Sequence, residues 1–557
     1  MNTNSHLISS IILFLVISTN LILSQTIIPD GPVSGNWTLA NSPYLINGNI
    51  EILDDSTLTI DPGVRIEFQG HYALNVQGVL LAEGTETDTI IFTVNDTTGF
   101  NDLNSTLGGW NGINIIDPDT TNDSTIINYC KFEFAKAVDD VWFLNAGGAL
   151  TILNFDKVHI SNSLFQNNSA GGDTTEVPSG GAIHLAWSDI KLNDNKFINN
   201  RALSGGAIHF HESGPTFINN TFIDNYARHG SGAIDAGSKS SPTFYGDQIL
   251  SNSSRYSGGG ISLWDSTVTT LENVIISDNL SGDGGGIFSH HAEIIFSNCS
   301  FNNNIAKSSG GGLYSYMGEL TFESCTFSED SAIIFGGGIA ADHSTLIFDE
   351  CTFLDNKSDF QSGAINTWKC NLTITQSNFT NNYSVTNYGA IGADSSIISI
   401  DNSQFESNSS VWGGGLAANY GTLELTNSTF ISNTSEHGGG LISGWNDNQL
   451  SNVTFTQNSS IWGGAMSITN CNLNISDCNF QNNQAGDAGA FEYIADTMAF
   501  EGVYDVNITR TNFSDNNAAV AVGTFSFTQL NTENSLVNIN IDKCNITDNS
   551  ADRVNIA

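Results

Sequence analysis

One position recurs every 25 to 27 residues along much of the chain and carries side chains suited to sugar binding. It lies three residues after the Ile or Leu that closes a short glycine-rich element. The predicted ligand-binding residues at this position are His211, Trp264, His290, Tyr316, Asp342, Trp368, Asp394 and Asn419. Aromatic rings stack on sugar faces, and Asp and Asn hydrogen-bond to hydroxyl groups. The series predicts an outward stripe that binds an extended glycan. The alternative is a solvated β face on which rings pack against their cross-strand neighbours.

Catalysis on this stripe would need a pair of carboxylates or a base. Asp342 and Asp394 lie two repeats apart, which is about 10 Å if the repeats stack at the spacing of β-strands. That separation lies at the edge of the range that inverting glycosidases use. Lys369 is the neighbouring basic candidate, with Arg201, Arg228 and Arg255 further away. No acidic cluster accompanies these bases, so we expect a binding protein rather than an enzyme.

Metal ligation has no specific signature in the sequence. There is no CxxC pair with the spacing of a zinc site. His290-His291 and Asp342-His343 could bind a metal ion, but exposed His and Asp side chains usually do not. We expect neither a metal site nor a cofactor, and calcium is left open as a bridge to acidic glycans.

The elements that position this stripe belong to a repeated unit. One copy runs from Gly284-Gly285-Gly286-Ile287 to Phe301-Asn302-Asn303-Asn304, and the next begins at Gly310. An apolar residue three positions before an Asn closes each copy, with Asp330 as the one exception in the series. The predicted structural ladder consists of Asn200, Asn225, Asn252, Asn279, Asn304, Asn356, Asn382, Asn408, Asn433, Asn458 and Asn483. Self-similarity at a fixed short period indicates a solenoid.

Short segments of alternating polarity, such as Leu372-Thr373-Ile374, indicate strands rather than helices. Gly and Asn punctuate each copy at places where sharp turns need positive φ or a side chain that bonds to backbone. We therefore predict an all-β fold, a single-stranded right-handed parallel β-helix with three strands and three turns per coil. The ladder Asn side chains would satisfy backbone groups inside the turns, beside a stacked column of Phe rings.

The repeats resemble those of a known family. Gly-Ala-Ile elements, as at Gly206-Ala207-Ile208, combined with Phe-x-x-Asn look like the repeats of chlamydial polymorphic outer membrane proteins. The resemblance covers Gly147 to Asn549 and implies a pectate-lyase-like β-helix on a bacterial surface. It does not specify an activity, because this fold carries adhesins, pectate lyases and glycosidases.

The chain divides into three predicted regions. Residues 1–24 form an apolar signal peptide, which predicts a secreted or cell-surface, extracytoplasmic protein. Residues 25–146 form an N-terminal cap and the first coils, and residues 147–557 form the repetitive coils, with a C-terminal truncation left open. Gly99 to Gly109 and Gly171 to Ser179 are predicted excursion loops. No later segment is long enough to span a membrane.

The composition limits the kinds of ligand that the protein is expected to bind. The chain has 57 acidic and 16 basic residues, a formal charge of −41. Such a field repels nucleic acid and polyanionic glycans. We expect adhesion to, or binding of, a polysaccharide or another host or cell-surface ligand. A polysaccharide lyase or glycoside hydrolase that uses the same face is the alternative, and a structural spacer is the third hypothesis.

The eight cysteines do not suggest disulfides. Cys299, Cys325 and Cys351 occupy one slot, two residues before the closing apolar residue, and Ser fills that slot in other repeats. The interchange of two small side chains predicts a buried column of free thiols.

Overall fold

The structure, a computed structural model, describes residues 25–138, 146–171, 179–496, 503–520, 522–530 and 536–551. The fold is a right-handed parallel β-helix, as predicted. Within the described residues its helical structure is one 3-10 turn, Leu39–Asn41. The predicted signal peptide and most of the predicted Gly171–Ser179 loop lie outside the described residues.

Each coil contributes a strand to three long parallel sheets. In one representative coil, Leu313–Tyr316 belongs to sheet 2, Glu319–Glu323 to sheet 3 and Thr326–Ser328 to sheet 1. Sheet 1 extends from Thr26–Ile28 to Asn545–Thr547, sheet 2 from Gly31–Pro32 to Phe525–Leu530, and sheet 3 from Gly35–Trp37 to Leu536–Asp542. The coil also has a fourth, two-residue strand, Ser331–Ala332, that the sequence did not predict.

Sheet 2 positions the candidate site. Its strands pair in parallel with their equivalents in neighbouring coils, so corresponding residues form rows along the solenoid. The central strands are Ile183–Ala186, Ile208–His211, Ile234–Ala236, Ile261–Leu263, Ile287–His290, Leu313–Tyr316, Ile339–Asp342, Ile365–Trp368, Ile391–Asp394, Leu416–Asn419, Leu441–Gly444 and Met466–Thr469.

Left-handed residues form the corners of the coils. In the representative coil, Met317, Ser324 and Glu329 have φ of 52°, 53° and 57° and connect the successive strands. Equivalent residues in other coils are often Asn or Asp, which adopt this conformation more readily than other L-residues. These repeated corners turn the chain within a few residues, which keeps each coil short.

The Asn ladder runs through the interior beside one of these corners. Asn356 Nδ2 donates to the Phe327 carbonyl of the preceding coil, and the Asn356 backbone N–H donates to Asn382 Oδ1 of the next coil, at 2.9 and 3.1 Å. The same bonds recur along the ladder, and its members are fully buried. The ladder therefore satisfies backbone groups that solvent cannot reach.

Aromatic rings fill the core next to the ladder. Phe327, Phe353 and Phe379 stack with ring centroids 4.9 and 4.7 Å apart and planes within 4°. Ile249 and Ile276 occupy this row in two coils, so the stack of rings stops after Phe222 and resumes at Phe301 while the strand register continues. The cysteines are free thiols, as predicted, and all are buried except the partly exposed Cys544.

The predicted excursion from Gly99 to Gly109 consists of turns without a strand. Lys136, 1% exposed, holds it in place. Its ammonium group donates to the carbonyls of Gly99, Asp102 and Leu107 at 3.2, 2.6 and 3.1 Å. Trp110 then returns the chain to the core, where it stacks on Phe68 at 4.4 Å.

Replacing a ladder residue tests the importance of these bonds. Asn356→Leu removes the hydrogen bonds of two backbone groups. The Phe327 carbonyl loses the Asn356 Nδ2 donor, and the Asp330 N–H loses the Asn356 Oδ1 acceptor that lies 3.1 Å away. Each buried group left without a partner costs about 1 to 3 kcal/mol. We expect a clear fall in melting temperature by circular dichroism.

The matched control is Asn378→Leu on the exposed face of sheet 1, where we expect little change. Asn381 is a poorer control, because its φ of 54° would strain a leucine. Equal falls in melting temperature for the Asn356 and Asn378 variants would contradict the role assigned to the ladder.

Asp330, the exception in the ladder, predicts a pH effect. Its Oδ1 accepts from the Asn304 N–H and Nδ2 at 2.7 and 2.9 Å, but no described residue bonds to its buried Oδ2. Burial raises the pKa of this carboxyl well above its ordinary value. The protonated Asp330 carboxyl group therefore contributes fully to the free energy of unfolding below the unfolded-state pKa of about 3.9. This contribution is lost as the pH rises through the higher pKa of the folded state.

Asp330→Asn removes the buried charge. It also introduces an amide N–H donor, which in other coils bonds to the Phe carbonyl of the preceding coil. We expect the substitution to stabilise by about 1 to 3 kcal/mol at pH 8 and the gain to shrink toward pH 4, as measured by thermal or urea unfolding. Asp247→Asn is the control, since Asp247 Oδ2 accepts the Tyr245 N–H at 3.1 Å and an amide nitrogen could not. A gain for Asp330→Asn that is independent of pH would contradict this account.

Candidate functional site

The predicted stripe forms a row on the outer face of sheet 2. Backbone pairing aligns Tyr316 with Asp342, Asp342 with Trp368, Trp368 with Asp394, and Asp394 with Asn419. These side chains range from partly exposed to exposed, and Trp368 is 44% exposed. They occupy the fourth position of their strands, whereas the first and third positions are buried in the core.

Strand alternation also places the second position of each strand on this outer face, forming a second row that was not predicted from the sequence. It includes His209, Asp235, Tyr314, Asn366 and Ile442. The signal was available, because residues two apart on a strand share a face. The two rows together form the floor of a groove.

Two adjoining clefts occupy this groove and share Trp368 and Asp394. One has a volume of about 640 Å³ and the other of about 410 Å³. The larger is lined by Trp368, Asn387, Tyr388, Asp394, Ser395, Trp412, Asn419, Tyr420, Ile442, Ser443, Gly444, Trp445 and Thr469. The smaller is lined by Asp283, Ser308, Ser309, Tyr314, Phe335, Ala340, Ala341, Asp342, Gln361, Asn366, Thr367, Trp368 and Asp394. Together they form a surface that spans several coils.

Exposed aromatic rings flank the larger cleft on both sides. Trp412 precedes the glycine element of its coil and is 41% exposed. On the opposite side, Tyr420 follows the sheet 2 strand of the same coil and stacks on Trp445 of the next, with centroids 5.2 Å apart and planes within 4°. The cleft therefore has flat apolar walls.

The floor of the larger cleft is polar. Asn419 Nδ2 donates to Asp394 Oδ1 at 3.0 Å and to the Tyr388 hydroxyl at 3.2 Å. Burial raises the pKa of Asp394 above its ordinary value. Burial, with a smaller effect of the Asp394 charge, raises the pKa of Tyr388 to about 12. This connected set presents a carboxyl group, an amide and a phenol to a ligand.

The smaller cleft combines the phenol of Tyr314 with three carboxyl groups, those of Asp283, Asp342 and Asp394. Burial raises the pKa of Tyr314 to about 12, and the charges of Asp283 and Asp342 add to the shift. Asp342 also contacts the ring nitrogen of His343. The cleft thus has apolar surface from Tyr314 and Phe335 and hydrogen-bonding groups around it.

Lys369, the predicted catalytic base, lies with its ammonium group over the Trp368 ring, 4.0 Å from the centroid. Lys369 does not line either cleft. The alternative bases Arg201, Arg228 and Arg255 line a separate cleft of about 200 Å³ with Tyr226. The structure therefore does not bring these arginines together with Asp342 and Asp394.

The other predicted binding residues lie along the groove toward the N-terminus, outside both clefts. His290 stacks on Tyr316 at 5.4 Å, and its Nδ1 is 2.7 Å from Asp265 Oδ1. Trp264 donates its indole N–H to Asp235 at 2.8 Å. His211 lies with its ring centroid 6.2 Å from that of His209. Burial lowers the pKa of His211, and it lowers that of His209 to about 3.

The architecture and this groove define a right-handed parallel β-helix protein with an aromatic, acidic surface groove. Residues 246–392 match the family model described as a right handed beta helix region. Among the described residues, no helix is long and apolar enough to cross a membrane. The resemblance to the chlamydial proteins stays a prediction.

Two individual proteins show limited similarity. A stretch of 52 residues is 48% identical to the protein bark beetle of Drosophila melanogaster, covering 9% of this chain and 2% of that protein. The crystal structure of PfbA, a surface adhesin of Streptococcus pneumoniae, aligns over 91% of this chain and 85% of that chain, with 11% identity and a TM-score of 0.16. Neither similarity is sufficient to transfer a function.

Proposed function

We propose that this protein is an extracytoplasmic β-helix protein that binds an extended glycan in the sheet 2 groove. The observation that carries the proposal is the pair of adjoining clefts that share Trp368 and Asp394. Their exposed rings and hydrogen-bonding floor are the two features that sugar recognition needs.

The groove geometry fits a polymer better than a single small molecule. Successive coils are about 4.8 Å apart, which is close to the length of one sugar ring, so a glycan lying along the solenoid meets similar surfaces at successive units. Trp412 and Tyr420 provide faces for stacking, and Asp394, Asn419 and Tyr388 provide hydrogen-bond partners for hydroxyl groups.

Charge favours a neutral glycan. Asp283, Asp342 and Asp394 line the clefts, and the chain as a whole carries a formal charge of −41. A polyanionic glycan would be repelled at low salt unless a divalent cation lay between the two. Binding assays with and without calcium therefore distinguish these two ligand classes.

Removing the exposed rings tests the binding proposal. We expect Trp368→Ala and Trp412→Ala each to weaken retention in affinity electrophoresis on a panel of neutral and acidic polysaccharides. Aromatic stacking contributes about 0.5 to 1.5 kcal/mol, so we expect loss of one ring to raise Kd by up to roughly tenfold. Both positions are exposed, so the melting temperature is expected to change little.

Tyr383→Ala is the matched control, because Tyr383 is 40% exposed but lies outside both clefts. Equal loss of retention in all three variants would contradict the groove as the binding site. Absence of retention on every polysaccharide would favour a protein ligand or a structural spacer.

Hydrolysis is a second candidate function, favoured by the raised pKa of Asp394 and its position two coils from Asp342. In this scheme Asp394 is the general acid and Asp342 activates water, as in an inverting glycosidase. Trp368 lies between them in the row. The separation of about 9.6 Å given by two coil spacings is slightly wider than that class uses.

New reducing ends in the retained samples would establish hydrolysis, and unsaturated uronate absorbance would indicate a lyase. If hydrolysis occurs, we expect Asp394→Asn to abolish it, a fall of about a hundredfold or more, while retention persists. Cleavage that survives this substitution would exclude Asp394 as the acid. Retention without cleavage would leave binding as the function.

A further inference from the structure

Three histidines come together in the N-terminal part of the groove. His184 and His209 are aligned at the second position of adjacent sheet 2 strands, and His211 occupies the fourth position of the second strand. His184 and His209 are buried, and His211 is half-buried at the edge of the cluster. Of the three histidines, only His211 was predicted from the sequence as a site residue, and its predicted role was ligand binding.

The three imidazole rings each bring a ring nitrogen close enough to the others to share one metal ion. One ligand atom from each histidine lies within 4.8 Å of those of the other two. His209 Nδ1 and His184 Nδ1 are 3.1 Å apart. Two nitrogens bound to one tetrahedral zinc ion at 2.0–2.1 Å are about 3.3 Å apart. Within the same cluster, His211 offers a third ring nitrogen.

The buried carboxyl group of Asp235 lies close to the second ring nitrogen of His209. Asp235 Oδ2 lies 3.7 Å from His209 Nε2, the ring nitrogen that does not face His184. The Trp264 indole donates to Asp235 Oδ1 at 2.8 Å and fixes the carboxyl group. Ligating histidines commonly have such a partner, which orients the ring and makes it a stronger donor.

We propose that His184, His209 and His211 bind a zinc ion, with Asp235 as the positioning residue for His209. Imidazole nitrogens suit Zn²⁺, whereas Ca²⁺ and Mg²⁺ prefer oxygen ligands. Three protein ligands leave a fourth position for water or for a group of a bound ligand. The site is independent of the proposed glycan binding, since it lies outside both clefts.

Metal content tests this inference directly. The purified chain is stripped with EDTA, incubated with excess ZnCl₂, passed through a desalting column and analysed by mass spectrometry for zinc. We expect one zinc ion per chain and a higher melting temperature with zinc than without it. Cobalt substitution should give the visible absorption of a tetrahedral nitrogen-ligated site.

His211→Ala is the decisive variant, because His211 is the least buried of the three and the fold should tolerate its loss. We expect it to lose the bound zinc and the zinc-dependent rise in melting temperature while keeping the metal-free melting temperature.

Asp235→Asn should lower the zinc affinity by about 10- to 100-fold without changing the stoichiometry at saturation. His343→Ala, at a partly exposed histidine outside the cluster, is the control and should bind zinc normally.

Substoichiometric zinc in the wild-type chain would overturn the inference. Unchanged zinc content in folded His211→Ala would also overturn it. Equal loss of zinc in His343→Ala would mean that the zinc is held elsewhere.

Discussion

The structure depends on satisfying buried backbone groups at every coil. A solenoid of short strands and tight corners places carbonyls and N–H groups inside, where water cannot reach them. The ladder amides solve this problem because one side chain accepts from the preceding coil and donates to a carbonyl of that coil's core strand, as Asn382 does at 3.1 and 3.0 Å. This requirement fixes one residue type at one slot in nearly every coil, and the corners, strands and Phe column follow in register with it.

That register also gives the molecule its surface. Because strands are parallel and in register, each outward position becomes a continuous row, and two rows of sheet 2 form the groove floor. Residues before and after the strands, such as Trp412 and Tyr420, form its walls. Variation is tolerated there because these side chains do not enter the core, so the outer rows can differ from coil to coil while the ladder does not.

The side chains of the groove differ along its length, so the proposed glycan-binding and zinc-binding sites lie in different parts of it. The exposed rings Trp368 and Trp412 lie at the two clefts, whereas His184 and His209 are buried nearer the N-terminus. Burial raises the pKa of Asp394 and lowers that of His209 for the same reason, since both shifts favour the uncharged form.

The sequence by itself determined the fold, the period, the slot of the ladder and the row containing Trp368 and Asp394, because repetition displays these features along the chain. It also placed the free thiols in the core. Only the tertiary structure decided which residues meet across coils. The second row, the stacking of Tyr420 on Trp445 and the convergence of His184, His209 and Asp235 depend on side-chain directions and on flanking segments that differ between repeats. The ladder could be predicted from the sequence because the same buried backbone carbonyl and N–H groups need partners in every coil. Each groove contact, in contrast, occurs only once.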